Sequence, residues 1–212
     1  LVPDPRFLAA VFERQAGHKW METFDFSGEY ETLSRLEADR VHDLLDIGAG
    51  NGDLLRACNT HCASGRLSAL DVVPHPGVTR WITGEFIAGF LDDTLLEWSH
   101  EPYRVVTLFD VLEHVYQPQL AFLNLRALVR NGGYVLIETG DAQSAWPRRY
   151  GLAQWWYVRL FEHHLFWTRA ALEFSARRHG FELCSFDLVR HKTRRRLRPV
   201  RATLDAMQVA LY

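Results

Sequence analysis

A chain of 212 residues with 48% hydrophobic and 24% charged side chains has the makeup of a soluble globular domain, long enough for one sizeable core. A formal net charge of −2 excludes bulk attraction to nucleic acid or to an anionic membrane, and no apolar run approaches the roughly 20 residues that span a bilayer. Three cysteines, Cys58, Cys62 and Cys184, are an odd and sparse set that fits a reducing compartment, and Leu1-Val2-Pro3-Asp4 is not the start of a signal peptide, so a cytoplasmic protein is expected.

Short apolar runs alternate with helical patterns along the chain, which argues for βαβ units in a mainly parallel sheet. Asp4-Pro5 opens a helix that carries Phe7, Leu8, Val11 and Phe12. Residues 17–26 read as a loop holding Trp20 and Phe24. A second helix over 28–39 places Tyr30, Leu33 and Leu36 at helical spacing. The first strand spans 41–45 and runs into Asp46-Ile47-Gly48-Ala49-Gly50-Asn51-Gly52, with a helix to about residue 59. The second strand, 67–70, ends in Asp71, and a third is placed at 80–83, ending in Gly84-Glu85-Phe86. A helix over 92–98 leads to a fourth strand at 104–108, followed by Phe109-Asp110-Val111-Leu112-Glu113-His114-Val115. The helix 119–129 stops at Asn131-Gly132-Gly133, a turn signal, and the fifth strand is 134–138.

The rhythm then breaks. Residues 140–167 are rich in aromatics and too long for a plain strand-to-helix connection. Thr168 as N-cap and Gly180 as the residue past the C-terminus frame a helix over 169–179, before a sixth strand at 181–189. A basic run with seven Lys or Arg over 190–201 and a short amphipathic stretch to Tyr212 follow. The organisation expected is one domain over 1–212: a helical cap at 1–40, a cofactor-binding core at 41–139, a substrate-side insertion at 140–167, a last helix and strand at 168–189, and a basic tail at 190–212.

In open α/β sheets ligands bind outside the carboxyl ends of the strands, where the strand order switches. The polar and glycine signals fall there: Asp46, Gly48, Gly50, Gly52, Asp71, Glu85 and Asp110. Three alternating glycines make a tight turn that lets a ligand approach the backbone. Their G-x-G-x-G spacing is neither the dinucleotide G-x-G-x-x-G nor a P-loop. Asp71, about 20 residues past the loop, can accept hydrogen bonds from ribose hydroxyls, or can merely cap a turn.

At this point the sequence resembles the class I S-adenosylmethionine methyltransferases, within the group that includes ubiquinone-biosynthesis O-methyltransferases. Asp46-Ile47-Gly48-Ala49-Gly50-Asn51-Gly52 is similar to that family's first motif. Phe109-Asp110-Val111-Leu112-Glu113-His114-Val115 is similar to its motif after strand four. Leu128-Val129-Arg130-Asn131-Gly132-Gly133 and Glu162-His163-His164-Leu165-Phe166-Trp167-Thr168 resemble the turn before strand five and the entry to the last helix. The resemblance covers residues 41–189 and implies a Rossmann-like, doubly wound, mainly parallel sheet flanked by helices, with S-adenosyl-L-methionine as cofactor. It implies that Asp46, Gly48, Ala49, Gly50, Asn51 and Gly52 hold the methionine end and ribose, that Asp71 and Val72 serve the ribose, that Glu85 and Phe86 flank the adenine, and that Phe109, Asp110 and Val111 line the methionine side. Two departures stand out: Arg104 where many relatives are acidic, and no visible antiparallel seventh strand after the chain turns basic.

Asp110, Glu113 and His114 at i, i+3 and i+4 would share a helical face. Such a face can hold a divalent cation or simply line the cofactor pocket; the latter is expected, with no metal, because a hard cation wants more oxygen ligands. Cys58, His61 and Cys62 lack the second ligand pair of a structural zinc site. His114, His163 and His164 are candidate general bases. Trp20, Trp146, Trp155, Trp156 and Tyr157 are candidate acceptor contacts, with the insertion as a mobile aromatic cover, or else they close a private mini-core. The basic run has no interleaved stacking platform, so nucleic acid is not the expected partner. The expectation is a methyltransferase acting on a small-molecule acceptor, at oxygen in the first instance. A nucleotide- or NAD-binding enzyme on a similar sheet and a non-catalytic relative are the alternatives.

Overall fold

The computed structural model describes residue 10 and residues 25–36, 41–61, 65–93, 101–159, 162–189 and 206–211. Trp20, most of the N-terminal cap, Cys62, most of the helix expected over 92–98 and the run 190–201 lie outside the described residues.

Seven strands form one sheet: β1 (Asp43–Ile47), β2 (Arg66–Asp71), β3 (Phe86–Ala88), β4 (Tyr103–Phe109), β5 (Val129–Gly140), β6 (Leu183–Val189) and β7 (Ala206–Leu211). Their order is β3-β2-β1-β4-β5-β7-β6. All neighbours pair in parallel except β7, which runs antiparallel to both β5 and β6. The helices are α1 (Ser27–Leu36), α2 (Asp53–His61), α3 (Pro118–Leu128), α4 (Ala145–Tyr150) and α5 (Arg169–Arg178).

The period of two along each strand divides the core between the two sheet faces. Leu44, Val105, Leu136 and Ala210 pack on one side with Leu33, Leu54 and Leu55. Leu45, Val106, Ile137 and Val209 pack on the other with Phe122, Leu125 and Leu172. Strands covered on both faces read as near-continuous apolar runs, which is why most were visible in the sequence. Thr168 caps α5 through Oγ1, which accepts from Ala171 N at 3.2 Å, and Gly180 sits at φ +82° beyond its end.

The structure corrects the sequence reading in three places. The third strand is not at 80–83: Val78–Arg80 is a 3-10 turn, and β3 begins at Phe86. The seventh strand exists, beyond the basic run, in the stretch read only as amphipathic. The segment after β4 is a set of turns rather than a helix, with Asp110 at φ +54°, so Asp110, Glu113 and His114 share no helical face. Arg104 has a local role: its N–H donates to Asp43 Oδ2 at 2.9 Å, and its guanidinium donates to the Gly132 carbonyl and lies 5.2 Å from the Tyr134 ring centre.

Candidate functional site

The β1–α2 turn is built from three glycines in the left-handed region, Gly48 at φ +71°, Gly50 at +53° and Gly52 at +82°. Two of them are crowded. A Cβ on Gly48 would collide with the Val111 side chain, and one on Gly52 would sit 2.8 Å from Val78 Cα. Gly50 is different: its nearest neighbour to an added Cβ is the Gly48 carbonyl at 4.0 Å. Its N–H donates to Asp71 Oδ2 at 2.8 Å, while Val72 N–H donates to Asp71 Oδ1 at 2.7 Å. The glycine turn and the end of β2 are therefore one unit. Burial outweighs these N–H bonds and holds the Asp71 carboxyl above its ordinary pKa.

Around this unit the edge is acidic. Asp46 is buried and accepts from Thr107 Oγ1 at 2.7 Å. Asp71, Asp110, Glu113 and Glu138 stand at the same ends of β2, β4 and β5, and segments 43–55, 69–77, 107–117 and 137–143 contain no Lys or Arg. Such an edge suits a cationic ligand and disfavours a pyrophosphate. Phe109 stacks on Phe26 at 5.7 Å between ring centres, Ala49 is buried, and Asn51 closes over Gly77, whose added Cβ would stand 2.6 Å from the Asn51 carbonyl.

Glu85 and Phe86, expected beside an adenine, are at the wrong end of their strand. Phe86 pairs with Ala69, two steps before Asp71, which pairs with Ala88. Glu85 accepts from the hydroxyl of Tyr103, the first residue of β4, at 3.2 Å. The residues at the carboxyl end of β3 are Gly89 and Phe90, and Gly89 N–H donates to the Asp71 carbonyl at 3.0 Å. A strand placed at 80–83 is too early to put these two residues at its carboxyl end.

Glu113 is fully buried, and its carboxylate accepts hydroxyl hydrogens from Thr139 at 2.9 Å and from Tyr157. Its main-chain carbonyl accepts from the N–H groups of His164 at 2.7 Å and Leu165 at 3.1 Å. Burial, then the nearby Asp110, push its pKa up. One residue thus ties the loop after β4 to both the insertion and the segment before α5. His114 Nδ1 lies 2.8 Å from the Glu162 carbonyl, which can only accept, so Nδ1 carries the proton and a neutral ring has its lone pair on Nε2. His163 stands edge-on to His114 at 4.8 Å, its Nδ1 buried without a partner, and His164 lies on Tyr116 at 4.0 Å.

Asp92, another residue the sequence reading missed, accepts from Tyr116 N–H at 2.6 Å and Gln117 N–H at 2.8 Å. It holds the two residues that lead into α3 from across the fold, and these partners are too distant in sequence to leave a local signal.

Glu113, His114 and His163 bring ligand atoms within 4.8 Å of one another, a grouping that could hold a metal ion. It replaces the expected Asp110 with His163. Both Glu113 oxygens already accept hydroxyl hydrogens, so a cation there would compete with two buried hydrogen bonds.

Burial is the first cause, and His114 the second, that push the His163 pKa down to about 3. Below pH 6.5 the unfolded chain takes up this proton and the folded chain does not. Stability from this group is therefore present above about 6.5 and lost as the pH falls towards 3. Glu113, with a raised pKa, acts in the opposite sense, so a difference must be read. Urea midpoints across pH 7 to 4 should fall more steeply for the wild type than for His163→Gln, and parallel slopes would count against a buried neutral His163.

The insertion is largely packed. Trp155 and Tyr157 are 2% and 1% exposed, with their rings 4.7 Å apart, and Tyr157 OH accepts from Gly140 N–H at 3.0 Å. This is the mini-core alternative, and it takes Trp155 and Tyr157 out of the candidate acceptor contacts, because neither presents surface. Trp156 and the half-buried Trp146 do present surface; Trp146 Nε1 donates to the Gln154 carbonyl at 2.9 Å.

Residues 12–185 match a family described as methyltransferase domain. Among curated proteins the chain is similar to the ubiquinone biosynthesis O-methyltransferase of Vibrio atlanticus (strain LGP32), 27% identical over 60% of this chain and 59% of that protein. The protein of the same description from Escherichia coli O6:H1 is 28% identical over 61% and 59%. The match thus spans under two thirds of these relatives' length. Among solved structures, the N-methyltransferase NodS from Bradyrhizobium japonicum WM9 with S-adenosyl-L-homocysteine superposes with a TM-score of 0.65 at 17% identity, covering 96% of each chain. The Burkholderia thailandensis 1,6-didemethyltoxoflavin-N1-methyltransferase gives a TM-score of 0.66 at 17% identity, covering 100% of this chain and 91% of that one. These two likenesses concern the fold.

Proposed function

We propose, for a chain that belongs to the class I S-adenosylmethionine-dependent methyltransferase family, that it methylates a small-molecule acceptor at oxygen. The observation that carries the cofactor's place is the open face of Gly50 held against the Asp71 carboxylate. The residues present fit the cofactor: an unobstructed backbone turn, a carboxylate with lone pairs left for ribose hydroxyls, and an acidic edge for a sulfonium. When bound, S-adenosylmethionine supplies a methyl group already activated by positive charge.

The protein's task is then alignment and exclusion of water. Asp46, Gly48, Ala49, Gly50, Asn51 and Gly52 form the turn under the methionine and ribose. Asp71 and Val72, with Gly89 and Phe90 in place of Glu85 and Phe86, form the adenosine side. Phe109, Asp110 and Val111 close the methionine side. His114, with Nδ1 held by Glu162, presents Nε2 to take the acceptor's proton. His163 beside it is neutral at physiological pH, and His164, its pKa lowered by burial and by His114, packs on Tyr116. Trp146 and Trp156 are the aromatics of the insertion left to meet an acceptor. The curated relatives are O-methyltransferases and two structural neighbours are N-methyltransferases; a proton-accepting imidazole at this position favours a hydroxyl.

Isothermal calorimetry should show binding of S-adenosylmethionine and S-adenosylhomocysteine and none of NAD. NAD binding without adenosylhomocysteine binding would overturn the reading in favour of a dinucleotide enzyme. Turnover should persist in a chelator; activity abolished by EDTA and restored by magnesium would make Glu113, His114 and His163 metal ligands.

A further inference from the structure

The β6 end of the sheet is explained neither by the cofactor turn nor by the mini-core. β6 pairs with β7 and, among the described residues, with no other strand, so it is an open edge. Edge strands are ordinarily blunted by Lys, by Pro or by a very short length. β6 has seven residues, Leu183–Val189, with Asp187 as its one charge and neither Lys nor Pro. Its irregularity lies between Leu183 and Ser185, which leaves 185–189 as a regular ladder against β7.

The same edge carries apolar surface. Alternation along the strand puts Leu188 on the face of Phe186, which packs against the core, yet Leu188 is 48% exposed. On that face α5 buries Leu172 and Ala176 and leaves Phe174 67% exposed. A groove of about 560 Å³ lies between α5 and the edge, lined by Glu173, Arg177, Gly180, Phe181, Glu182 and Leu183. The run over 190–201 has seven Lys or Arg, a composition poorly matched to an apolar edge that already carries the exposed Arg169, Arg177 and Arg178.

A second copy of the strand does match it. Directly opposed side chains in an antiparallel ladder share a face, so a two-fold pairing sets one residue opposite itself at the centre. Centred on Asp187, the pairing would oppose like charges. Centred on Phe186, it engages all seven residues, sets Asp187 opposite Ser185 of the second copy, and sets Leu188 opposite Cys184, so no charge meets its like.

We propose that the chain forms a two-fold dimer through antiparallel pairing of β6 with β6 of a second copy, centred on Phe186. Both α5 helices then lie on one side of a sheet continuous through the two copies. They close the groove between them and take Leu188 and the flank of Phe174 out of water. A stable dimer buries about 800 Å² per partner, and one strand with one helix flank stands at the low end of this, so a dissociation constant on the order of 10 µM is expected. In the strand order β5 and β4 separate this edge from the β1–α2 turn, so pairing leaves the cofactor's place untouched.

Sedimentation velocity of the full chain between about 1 and 100 µM tests this, and the wild type should pass from one copy to two over that range. Leu188→Lys, which puts a charge on the apolar face of the edge, should weaken the dimer roughly tenfold or more. Ser185→Asp opposes Asp187 of the second copy at two symmetric places and should weaken it by roughly tenfold as well. The exchange Ser185→Asp/Asp187→Ser removes that opposition at unchanged net charge and should restore wild-type association. Leu188 and Ser185 are exposed, so all three variants should keep the wild-type circular dichroism spectrum, which certifies the fold without reference to the cofactor. A wild type that stays a single copy at 100 µM overturns the proposal. Association that Leu188→Lys or Ser185→Asp leaves unchanged, or that the exchange fails to restore in a folded protein, overturns it too.

Discussion

Gly50→Val is expected to remove binding of S-adenosylmethionine and S-adenosylhomocysteine at little cost to the fold, whereas Gly52→Val is expected to lower the melting temperature markedly. The two glycines share a turn and a positive φ but face different things. A side chain on Gly50 meets nothing of the protein closer than 4.0 Å, so it projects into the space assigned to the cofactor. The folded state loses only the left-handed strain of a branched residue, about 1–2 kcal/mol. Binding should weaken by at least ~100-fold, about 2.7 kcal/mol. At Gly52 the added Cβ stands 2.8 Å from Val78 Cα, which is backbone and cannot rotate away. Overpacking of about 1–3 kcal/mol then adds to the same strain. Calorimetry with S-adenosylhomocysteine and thermal melts of both variants check this. Normal affinity in a folded Gly50→Val protein would remove the cofactor from this turn.

Trp155→Ala should cost about 3–5 kcal/mol, as for other buried Trp truncations, and Trp156→Ala less than about 1 kcal/mol. For a domain of this size the first corresponds to a fall in Tm of roughly 10 °C, against a total stability of about 5–15 kcal/mol. The two adjacent tryptophans differ because the chain turns between them: Trp155 stacks within the mini-core at 4.7 Å from Tyr157, while Trp156 meets Tyr157 edge-on at 5.7 Å and keeps 39% of its surface. A Trp155→Ala protein that melts with the wild type would show that the mini-core contributes nothing to stability.

This contrast shows where sequence reasoning stops. The presence of Trp and Tyr in residues 140–167 was plain, but which of Trp155 and Trp156 faces inward depends on a 3-10 turn at Leu152–Gln154 that no apolar period announces. The strands β1, β2, β4 and β5 were legible because burial on both faces makes them apolar runs. β3 was misplaced because Trp81-Ile82-Thr83 has strand-like residues of its own. The choice is made by long-range bonds, Ala69 N–H to the Glu85 carbonyl at 3.0 Å and Glu85 N–H to Ser68 Oγ at 3.0 Å. β7 escaped notice because Gln208 interrupts its apolar run, and that glutamine is buried only because Glu138 lies opposite, accepting from it at 3.4 Å. At the site, spacing alone placed the glycine turn after β1 and Asp71 at the end of β2. The partnership of Glu113 with Tyr157 and Thr139 was not legible, since it joins three distant segments.

The position of β7 also governs the order in which this protein can be made. β6 is joined to the rest of the sheet through β7, with no ladder to β5. During synthesis β5 and β6 both emerge from the ribosome before the strand that must lie between them. Until then each presents a bare edge to the other, and a direct β5–β6 pairing would have to be undone for β7 to enter. Until residues 206–211 have been made, this sheet order cannot form, so the growing chain depends on a strand made after β6 to leave an aggregation-prone state.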